Sequence, residues 1–313
     1  MKTMKVIFMG TTDFGVPALE RLVSENYQVV AVVCQPDRPN KRGNKIEILP
    51  LKAKALALGI TVLQPEKVKD PEFVEQLRSY EADIFIVAAY GQMLSREILE
   101  MPTYGALNIH GSLLPEYRGA APIQRAIIDG KTKTGITIMQ MSEGMDTGEM
   151  LSKAECSITD TTTFASLYQE LAVLGGALLV TTLSGLLNDK IKPIIQDEAL
   201  VTYAEKILKN TGHIDWTKNS REILALMNGT DPTPGAYMIY QEDKIKCFLP
   251  EVVLWTGNEE PGTLLVASDR EGLIVKTNDS AIKIGEIQIP GKKRMETTIV
   301  LRGKKMEIGT ILN

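Results

Sequence analysis

Asparagine and histidine stand two residues apart, at Asn108 and His110, in a chain of 313 residues that holds two histidines. If residues 107–109 end a β-strand, side chains two positions apart point to the same face, so these two project together. An imidazole can move a proton, and a carboxamide beside it can hold a carbonyl oxygen in place. The pair predicts acyl-type transfer rather than hydride or phosphoryl chemistry, although an Asn-X-His at a strand end also suits a purely structural role.

The residues after His110 favour the chemical interpretation. Ser112-Leu-Leu-Pro115 predicts a stiff turn whose backbone groups could meet a ligand, and Tyr117-Arg118 adds a ring and a guanidinium. A ligand site next to the Asn–His pair is therefore expected.

Composition describes an ordinary globular chain, with 44% hydrophobic and 24% charged residues, long enough for two domains. The formal net charge of −4 argues against indiscriminate nucleic-acid binding, which depends on phosphate neutralisation, but permits local basic surfaces. No apolar run suits a secretory signal or a bilayer span. We expect a cytoplasmic monomer without membrane contact.

The first half of the chain alternates strand and helix patterns. Strands are predicted over residues 5–9, 28–33, 60–63, 83–89, 106–109 and 136–141. Their spacing predicts a Rossmann-like α/β domain with a parallel sheet and helices on both faces. Ligands in such sheets bind at the carboxyl ends of the strands, where Asn108 and His110 would lie.

A long helical pattern covers residues 164–187, and the pattern changes beyond it. Residues 188–203 show no clear periodicity and hold Lys192-Pro193. Short strands are then predicted over 244–248, 252–255, 263–267, 273–276 and 282–287, which is typical of a small β-barrel. The predicted limits are a catalytic domain over 1–187, a linker over 188–206 and a C-terminal domain over 207–313.

Two common cofactor classes and a metal are not expected. The turn Gly10-Thr-Thr-Asp-Phe-Gly15 lacks the middle glycine of the dinucleotide fingerprint, and no phosphate-binding P-loop occurs, which disfavours NAD and ATP. Cys34, Cys156 and Cys247 lie far apart without a Cys-X-X-Cys. With only two histidines, a zinc site is improbable.

Longer motifs add a family resemblance. The run from Asn108 to Gln124, Asn-Ile-His-Gly-Ser-Leu-Leu-Pro-Glu-Tyr-Arg-Gly-Ala-Ala-Pro-Ile-Gln, resembles the signature of the formyltransferases that use 10-formyltetrahydrofolate. Other stretches match in the same order: Gly10-Thr-Thr-Asp-Phe14, Gln35-Pro-Asp-Arg-Pro39, Gln140-Met-Ser-Glu-Gly-Met-Asp-Thr-Gly148, Leu200-Val-Thr-Tyr-Ala-Glu-Lys206, Ile214-Asp-Trp216 and Pro290-Gly-Lys-Lys-Arg-Met295. The match runs nearly end to end and is strongest to members that act on methionyl-tRNA.

The resemblance implies roles for named residues. Asn108 and His110 would be catalytic, and Asp146 would orient the imidazole and stabilise its protonated form. Without the resemblance, the glycines flanking Asp146 suit a solvent loop equally well. The implied contacts to the folate are Ser112, Leu113, Leu114, Pro115, Ala89, Tyr90 and Gly91. The co-substrate would be 10-formyltetrahydrofolate, with no metal, and the C-terminal domain would be OB-like.

The same resemblance implies contacts to the initiator tRNA. In the family, the loop that corresponds to residues 38–45 reaches into the acceptor arm of the tRNA. The implied tRNA-binding residues are Lys41, Arg42, Lys45, Lys292, Lys293 and Arg294, with a solvated surface as the competing interpretation. The chain departs from the usual family pattern at Thr12, where the family usually has proline, at Lys41 and Asn44 of the loop, and at Thr233, which replaces a common aromatic residue and so loses any stacking at that point. His213, beyond the predicted linker, is assigned no chemistry.

The resemblance therefore implies transfer of a formyl group from 10-formyltetrahydrofolate to the α-amino group of methionyl-initiator tRNA, for translation initiation. Two alternatives remain open at this point. An amino-sugar nucleotide formyltransferase would share the catalytic set, and a non-catalytic RNA- or folate-binding module would not need it. The basic loop favours tRNA, and the presence of Asn108, His110 and Asp146 together favours an enzyme.

Overall fold

A computed structural model describes residues 4–39 and 47–312 of the chain. The strands are β1 (Lys5–Gly10), β2 (Gln28–Val33), β3 (Val62–Leu63), β4 (Ile84–Ala88), β5 (Ala106–His110), β6 (Arg118–Gly119), β7 (Lys133–Gln140), β8 (Met150–Ser157), β9 (Tyr203–Ala204), β10 (Ala236–Tyr240), β11 (Asp243–Val253), β12 (Leu264–Ser268), β13 (Gly272–Lys276), β14 (Ala281–Gln288) and β15 (Met295–Glu296). The helices are α1 (Val16–Ser24), α2 (Pro50–Ala57), α3 (Pro71–Ser79), α4 (Arg96–Leu99), α5 (Pro122–Ile128), α6 (Phe164–Leu187), α7 (Ser220–Thr230) and α8 (Thr297–Leu301).

The chain divides into two compact units. The first comprises Met1–Gly119, Gly135–Cys156 and Tyr168–Tyr203, and the second comprises Ala120–Thr134, Ser157–Leu167 and Ala204–Asn313. The first unit thus includes residues 188–203, which the sequence predicts as linker, and the second includes two stretches from inside the predicted catalytic domain. These two stretches belong to the second unit because their spatial contacts are with it, and the order of residues along the chain does not reveal such contacts. The predicted limits at 187 and 206 stay a prediction.

A seven-stranded sheet in the order β3-β2-β1-β4-β5-β7-β8 organises the first unit. Strands β3, β2, β1, β4 and β5 run parallel, as the alternation of strand and helix predicts, and β7 is antiparallel to β5. The continuous apolar run of β4 is buried at every position, which is typical of a strand covered on both faces. The sheet therefore brings the carboxyl ends of β1, β4 and β5 to one edge.

Helix α6 confirms the helical pattern predicted over residues 164–187. By length and composition it is the one helix in the described part of the chain that could cross a membrane, which differs from the expectation that no stretch is long enough. Within the first unit, its glycines lie against the sheet and α1: Gly175 faces the Ile109 side chain, and Gly176 faces the Pro17 backbone. Leu171 and Leu179 are fully buried, so this face packs as a core helix does.

The second unit is built on an antiparallel sheet in the order β10-β11-β14-β13-β12, with β15 paired to β14. Helix α7 and the inner faces of the strands share one apolar core, in which Trp216, Met227 and Ile284 are buried. The strand predicted at 244–248 and the first two residues of the one predicted at 252–255 belong to a single long strand, β11, and β10 was not predicted. The expected small β-domain of the fold is confirmed in outline.

Candidate active site

The edge formed by the carboxyl ends of β4 and β5 carries the predicted pair. Asn108 and His110 lie on β5, which pairs with β4 on one side and with β7 on the other. Because they are two residues apart on one strand, both side chains project from the same face of the sheet. The sequence-based placement of these residues at a strand end is confirmed.

The imidazole of His110 is buried and faces an oxygen atom at each nitrogen. Its Nε2 lies 3.0 Å from the carbonyl oxygen of Tyr117. A carbonyl can only accept, so this contact requires the proton on Nε2. Its Nδ1 lies 3.6 Å from Oδ2 of Asp146, which is an ion pair when the ring is protonated. Both ring nitrogens therefore face oxygen atoms that can accept a hydrogen bond.

Asp146 is held in place by the main chain. Its Oδ2 accepts a hydrogen bond of 2.8 Å from the Gly119 amide. Its own backbone is left-handed, with φ of 54°, which aspartate and asparagine tolerate better than other residues with a Cβ. The sequence indicated the residue through the family motif, and the structure brings it next to His110.

The carboxamide of Asn108 is half-buried and makes no hydrogen bond with the described part of the chain. A carboxamide offers two N–H donors, and a donor without a protein partner is available to a ligand. A free donor beside an imidazole–carboxylate pair can bind a developing oxyanion while the imidazole moves a proton. The arrangement therefore suits acyl or formyl transfer.

The turn Ser112–Pro115, which is predicted to contact the folate, is held by hydrogen bonds from side chains elsewhere in the chain. Ser112 and Leu114 are fully buried, and the hydroxyl of Thr137 donates to the Ser112 carbonyl while accepting from the Leu114 amide. Lys153 donates to the Leu114 carbonyl, and burial lowers the pKa of this lysine. Thr137 and Lys153 were not predicted, because contacts to backbone carbonyls leave no motif in the sequence. They hold the turn that also contains Leu113 and Pro115.

The second predicted folate segment follows β4. Ala89 and Gly91 are exposed, and both have positive φ, at 48° and 86°. Tyr90 between them is buried in the core, its hydroxyl has no partner within the described residues, and burial raises its pKa. Its carbonyl accepts from Thr11 and Gln35. Backbone contacts at Ala89 and Gly91 fit a ligand better than the Tyr90 side chain.

The predicted tRNA contacts have mixed surroundings. Lys41, Arg42 and Lys45 lie outside the described residues, as does Asn44, while Lys292 and Lys293 are exposed. Arg294 differs from its neighbours, because its guanidinium binds Asp231 at 2.7 Å, pairs with Glu286 and stacks over Phe248. The tRNA contact predicted for Arg294 stays a prediction, and its contacts within the unit favour a structural role.

Three further positions complete the list of expectations. The hydroxyl of Thr12 accepts from the Tyr168 hydroxyl at 2.9 Å, and Thr233 is exposed with its carbonyl bound to Gln124. His213 is exposed and stacks on the Tyr237 ring. Within residues 4–39 and 47–312, no group of three or more His, Cys, Asp or Glu side chains is placed to hold a metal ion.

The fold and this site define a formyl-group transferase, and comparison with known proteins identifies the family. The model described as "Formyl transferase" matches residues 4–183, and the one described as "Formyl transferase, C-terminal domain" matches residues 206–305. The chain belongs to the formyl transferase family. A methionyl-tRNA formyltransferase of Ruminiclostridium cellulolyticum is 46% identical over 308 residues, which cover 98% of each chain. Another from Bacillus mycoides is 46% identical over 310 residues, 99% of this chain and 98% of the relative.

Solved structures share the fold at low identity. HypX from Aquifex aeolicus, in complex with tetrahydrofolic acid, matches with a TM-score of 0.67 at 18% identity, over 99% of this chain and 51% of that chain. An N-formyltransferase from Helicobacter canadensis, in complex with folinic acid and dTDP-3-aminofucose, matches with a TM-score of 0.67 at 18% identity, over 90% of this chain and 98% of that chain. At this identity the likeness establishes the fold alone.

Proposed function

We propose that this protein transfers the formyl group of 10-formyltetrahydrofolate to the α-amino group of methionyl-initiator tRNA. The observation that carries the proposal is the convergence of Asn108, His110 and Asp146 at one sheet edge, in a chain 46% identical to methionyl-tRNA formyltransferases over nearly its full length. The protein is then an enzyme that prepares the initiator tRNA for translation.

Each residue meets one need of the reaction. The neutral amine attacks the formyl carbon, a C–N bond forms, and the carbonyl oxygen becomes an oxyanion. The Asn108 carboxamide donates to that oxygen, and one such donor contributes roughly 10²–10³ in rate. The C–N bond to the folate then breaks, and the proton lost by the amine goes to the departing folate nitrogen.

His110 carries that proton between the two nitrogens after one of its ring nitrogens leaves its protein partner, which is the Tyr117 carbonyl or the Asp146 carboxylate. Such a role typically contributes roughly 10²–10⁴ in rate. The Asp146 carboxylate stabilises the ring while it is charged. The Ser112–Pro115 turn and the exposed backbone of Ala89 and Gly91 hold the pterin of the folate. The reaction uses no metal ion.

The acceptor tRNA lies against basic side chains. Lys41, Arg42 and Lys45 of the loop over 38–45 and the exposed pair Lys292 and Lys293 supply them, with Arg294 a weaker candidate because two carboxylates already pair with it. We propose further that the protein acts as a cytoplasmic monomer without membrane contact.

An experiment that compares two acceptors tests which substrate receives the formyl group. Labelled 10-formyltetrahydrofolate is supplied with either methionyl-tRNA or an amino-sugar nucleotide, and we expect label on methionyl-tRNA alone. The fold similarity to a protein solved with dTDP-3-aminofucose makes the sugar nucleotide the second candidate. Label on the sugar alone rejects the tRNA assignment, and label on neither substrate indicates a non-catalytic module.

The basic loop is tested separately. Arg42→Ala should weaken use of methionyl-tRNA and leave binding of the folate unchanged. If Arg42 contacts a phosphate, the slope of log affinity against log salt should flatten by roughly 0.7–0.9. An unchanged efficiency, slope and preference between initiator and elongator methionyl-tRNA would show that the residue is only solvated.

A further inference from the structure

The loop that carries Asp146 adopts a backbone conformation that it does not favour by itself. A residue with a Cβ in the left-handed region costs roughly 1–2 kcal/mol, and such positions persist where surrounding contacts fix them. The Gly119 amide fixes the carboxylate end of Asp146. A separate contact must fix the main chain of this loop.

Gln196 makes that contact. Its Nε2 donates one hydrogen bond of 2.7 Å to the carbonyl of Asp146 and another of 2.7 Å to the carbonyl of Gly148. A carboxamide nitrogen has two hydrogens, so both are used. The side chain is 4% exposed, and one planar group therefore fixes two points of the loop at once.

Arg118 sets the orientation of that carboxamide. Its Nε donates to Oε1 of Gln196 at 2.9 Å, and a guanidinium can only donate, so the nitrogen of Gln196 must face the loop. Arg118 is 2% exposed and pairs with Glu198 through both terminal nitrogens, at 2.8 and 3.3 Å. The arginine is thus held by a second partner from the same segment.

The same arginine lies between the two backbone groups that touch the catalytic pair. The Tyr117 carbonyl meets His110, and the Gly119 amide meets Asp146. Arg118 is therefore the residue between these two backbone groups in the chain, and its guanidinium separately contacts the Asp146 loop through Gln196. Sequence patterning gives the segment around Gln196 no role other than that of a linker.

We propose that Gln196, oriented by Arg118, is a positioning residue that holds Asp146 at the distance from His110 that the transfer step requires. The proposal rests on the proposed function for its kinetic consequence. Its structural consequence, a displaced imidazole–carboxylate pair, needs neither substrate. Residues after α6 then belong to the catalytic machinery.

The test is Gln196→Glu, which keeps the size and the bond from Arg118 but replaces two donors with oxygen facing two carbonyls. Displacement of a reacting group by about 1 Å can cost on the order of 100-fold, so we expect kcat to fall roughly 10- to 100-fold with KM for the formyl donor unchanged. Gln76→Glu is the matched control, because it makes the same change at an exposed position of α3 in the same unit.

Nuclear magnetic resonance of ring-labelled histidine separates positioning from stability. The chain has two histidines, so His213 serves as an internal reference for His110. In the folded Gln196→Glu protein without substrates, we expect the His110 ring signals to shift and those of His213 to stay. This measurement is independent of the acceptor, so failure of the tRNA assignment leaves it intact.

A second variant tests the proposal if Gln196→Glu does not fold. Glu198→Gln removes an exposed charge that pairs with Arg118, and its side chain is 74% exposed, so the unit should still fold. Because exposed pairs contribute little, we expect a loss of roughly twofold to fivefold in kcat and a smaller shift of the same His110 signals. Unchanged kcat and unchanged His110 signals in the folded variants, even with a lower melting temperature, would make Gln196 purely structural and overturn the proposal.

Discussion

The substitution Asp146→Asn isolates the charge at the centre of the proposed mechanism. Asparagine tolerates the left-handed backbone at this position, where φ is 54°. Its side-chain oxygen can still accept from the Gly119 amide, now bound at 2.8 Å by Oδ2. The replacement thus keeps the shape of the loop and removes the negative charge facing His110.

The distance of 3.6 Å between Nδ1 of His110 and Oδ2 of Asp146 sets the magnitude. Two unit charges at this separation attract by about 4–5 kcal/mol at an effective dielectric constant of about 20. The aspartate side chain is 16% exposed, so solvent screening lowers the attraction to roughly 3–4 kcal/mol. Since about 1.4 kcal/mol corresponds to tenfold in rate, kcat should fall roughly 10²- to 10³-fold.

The assay measures kcat and KM for formylation of methionyl-tRNA, with the melting temperature as a check on folding. Asp189→Asn is the control, because Asp189 is also left-handed, with φ of 52°, but is exposed and outside the site. A loss in kcat below tenfold for Asp146→Asn would refute the electrostatic argument. An equal loss for Asp189→Asn, or an effect confined to KM of the formyl donor, would do the same.

Three further predictions concern stability and reactivity. Gly148→Ala should destabilise the protein by about 3 kcal/mol or more in urea unfolding, because a Cβ there would stand 1.6 Å from a backbone carbonyl of the neighbouring chain segment. Burial raises the pKa of the Cys34 and Cys247 thiols to about 12, so iodoacetamide at pH 8 should label neither in the native protein, as mass spectrometry can show. A hydrogen bond from Lys52 lowers the pKa of Asp37 in the folded protein. The stability that this carboxylate contributes is therefore present above the unfolded carboxyl pKa of about 3.9 and is lost as pH falls through the folded pKa. Asp37→Asn should flatten the acid side of the curve of unfolding free energy against pH.

These predictions have their own controls. Gly303→Ala introduces the same methyl group at a position where the nearest atom is 4.0 Å away, and it should leave the urea midpoint nearly unchanged. Labelling of both buried cysteines should become complete in concentrated urea; rapid labelling without urea would show that the thiols are accessible. Asp215 has a pKa lowered by local bonds from Thr217, so it should still titrate in Asp37→Asn, and an unaltered acid limb in that variant would contradict the pairing with Lys52.

The sequence by itself determined much of the fold and two members of the site. Apolar runs between helical stretches predict the strands β1, β2, β4 and β5, because a strand covered on both faces is apolar over most of its length. The two-residue period of a strand is enough to place Asn108 and His110 on one face. Asp146 needed the family motif, since a carboxylate between glycines also suits a solvent loop.

Only the tertiary structure decided how these side chains are held. Gln196 lies 50 residues after Asp146 in the chain and 78 after Arg118, and the bonds that join them end on backbone carbonyls or on another polar side chain. Every residue has a carbonyl, so such contacts leave no pattern of residue types in the sequence. Thr137 and Lys153 brace the Ser112–Pro115 turn by the same kind of contact and were equally hidden.

The direction of β7 and the pairing of Arg294 show the same limit. An apolar strand has one pattern whether it runs parallel or antiparallel, so only the observed pairing with β5 gives its direction. Arg294 stands in a basic run that predicts either a tRNA contact or a solvated surface charge, yet it pairs with Glu286 on β14 and with Asp231, which lies 63 residues earlier in the chain. Local sequence records which groups are present, and the folded chain decides which charges and backbone groups are already satisfied.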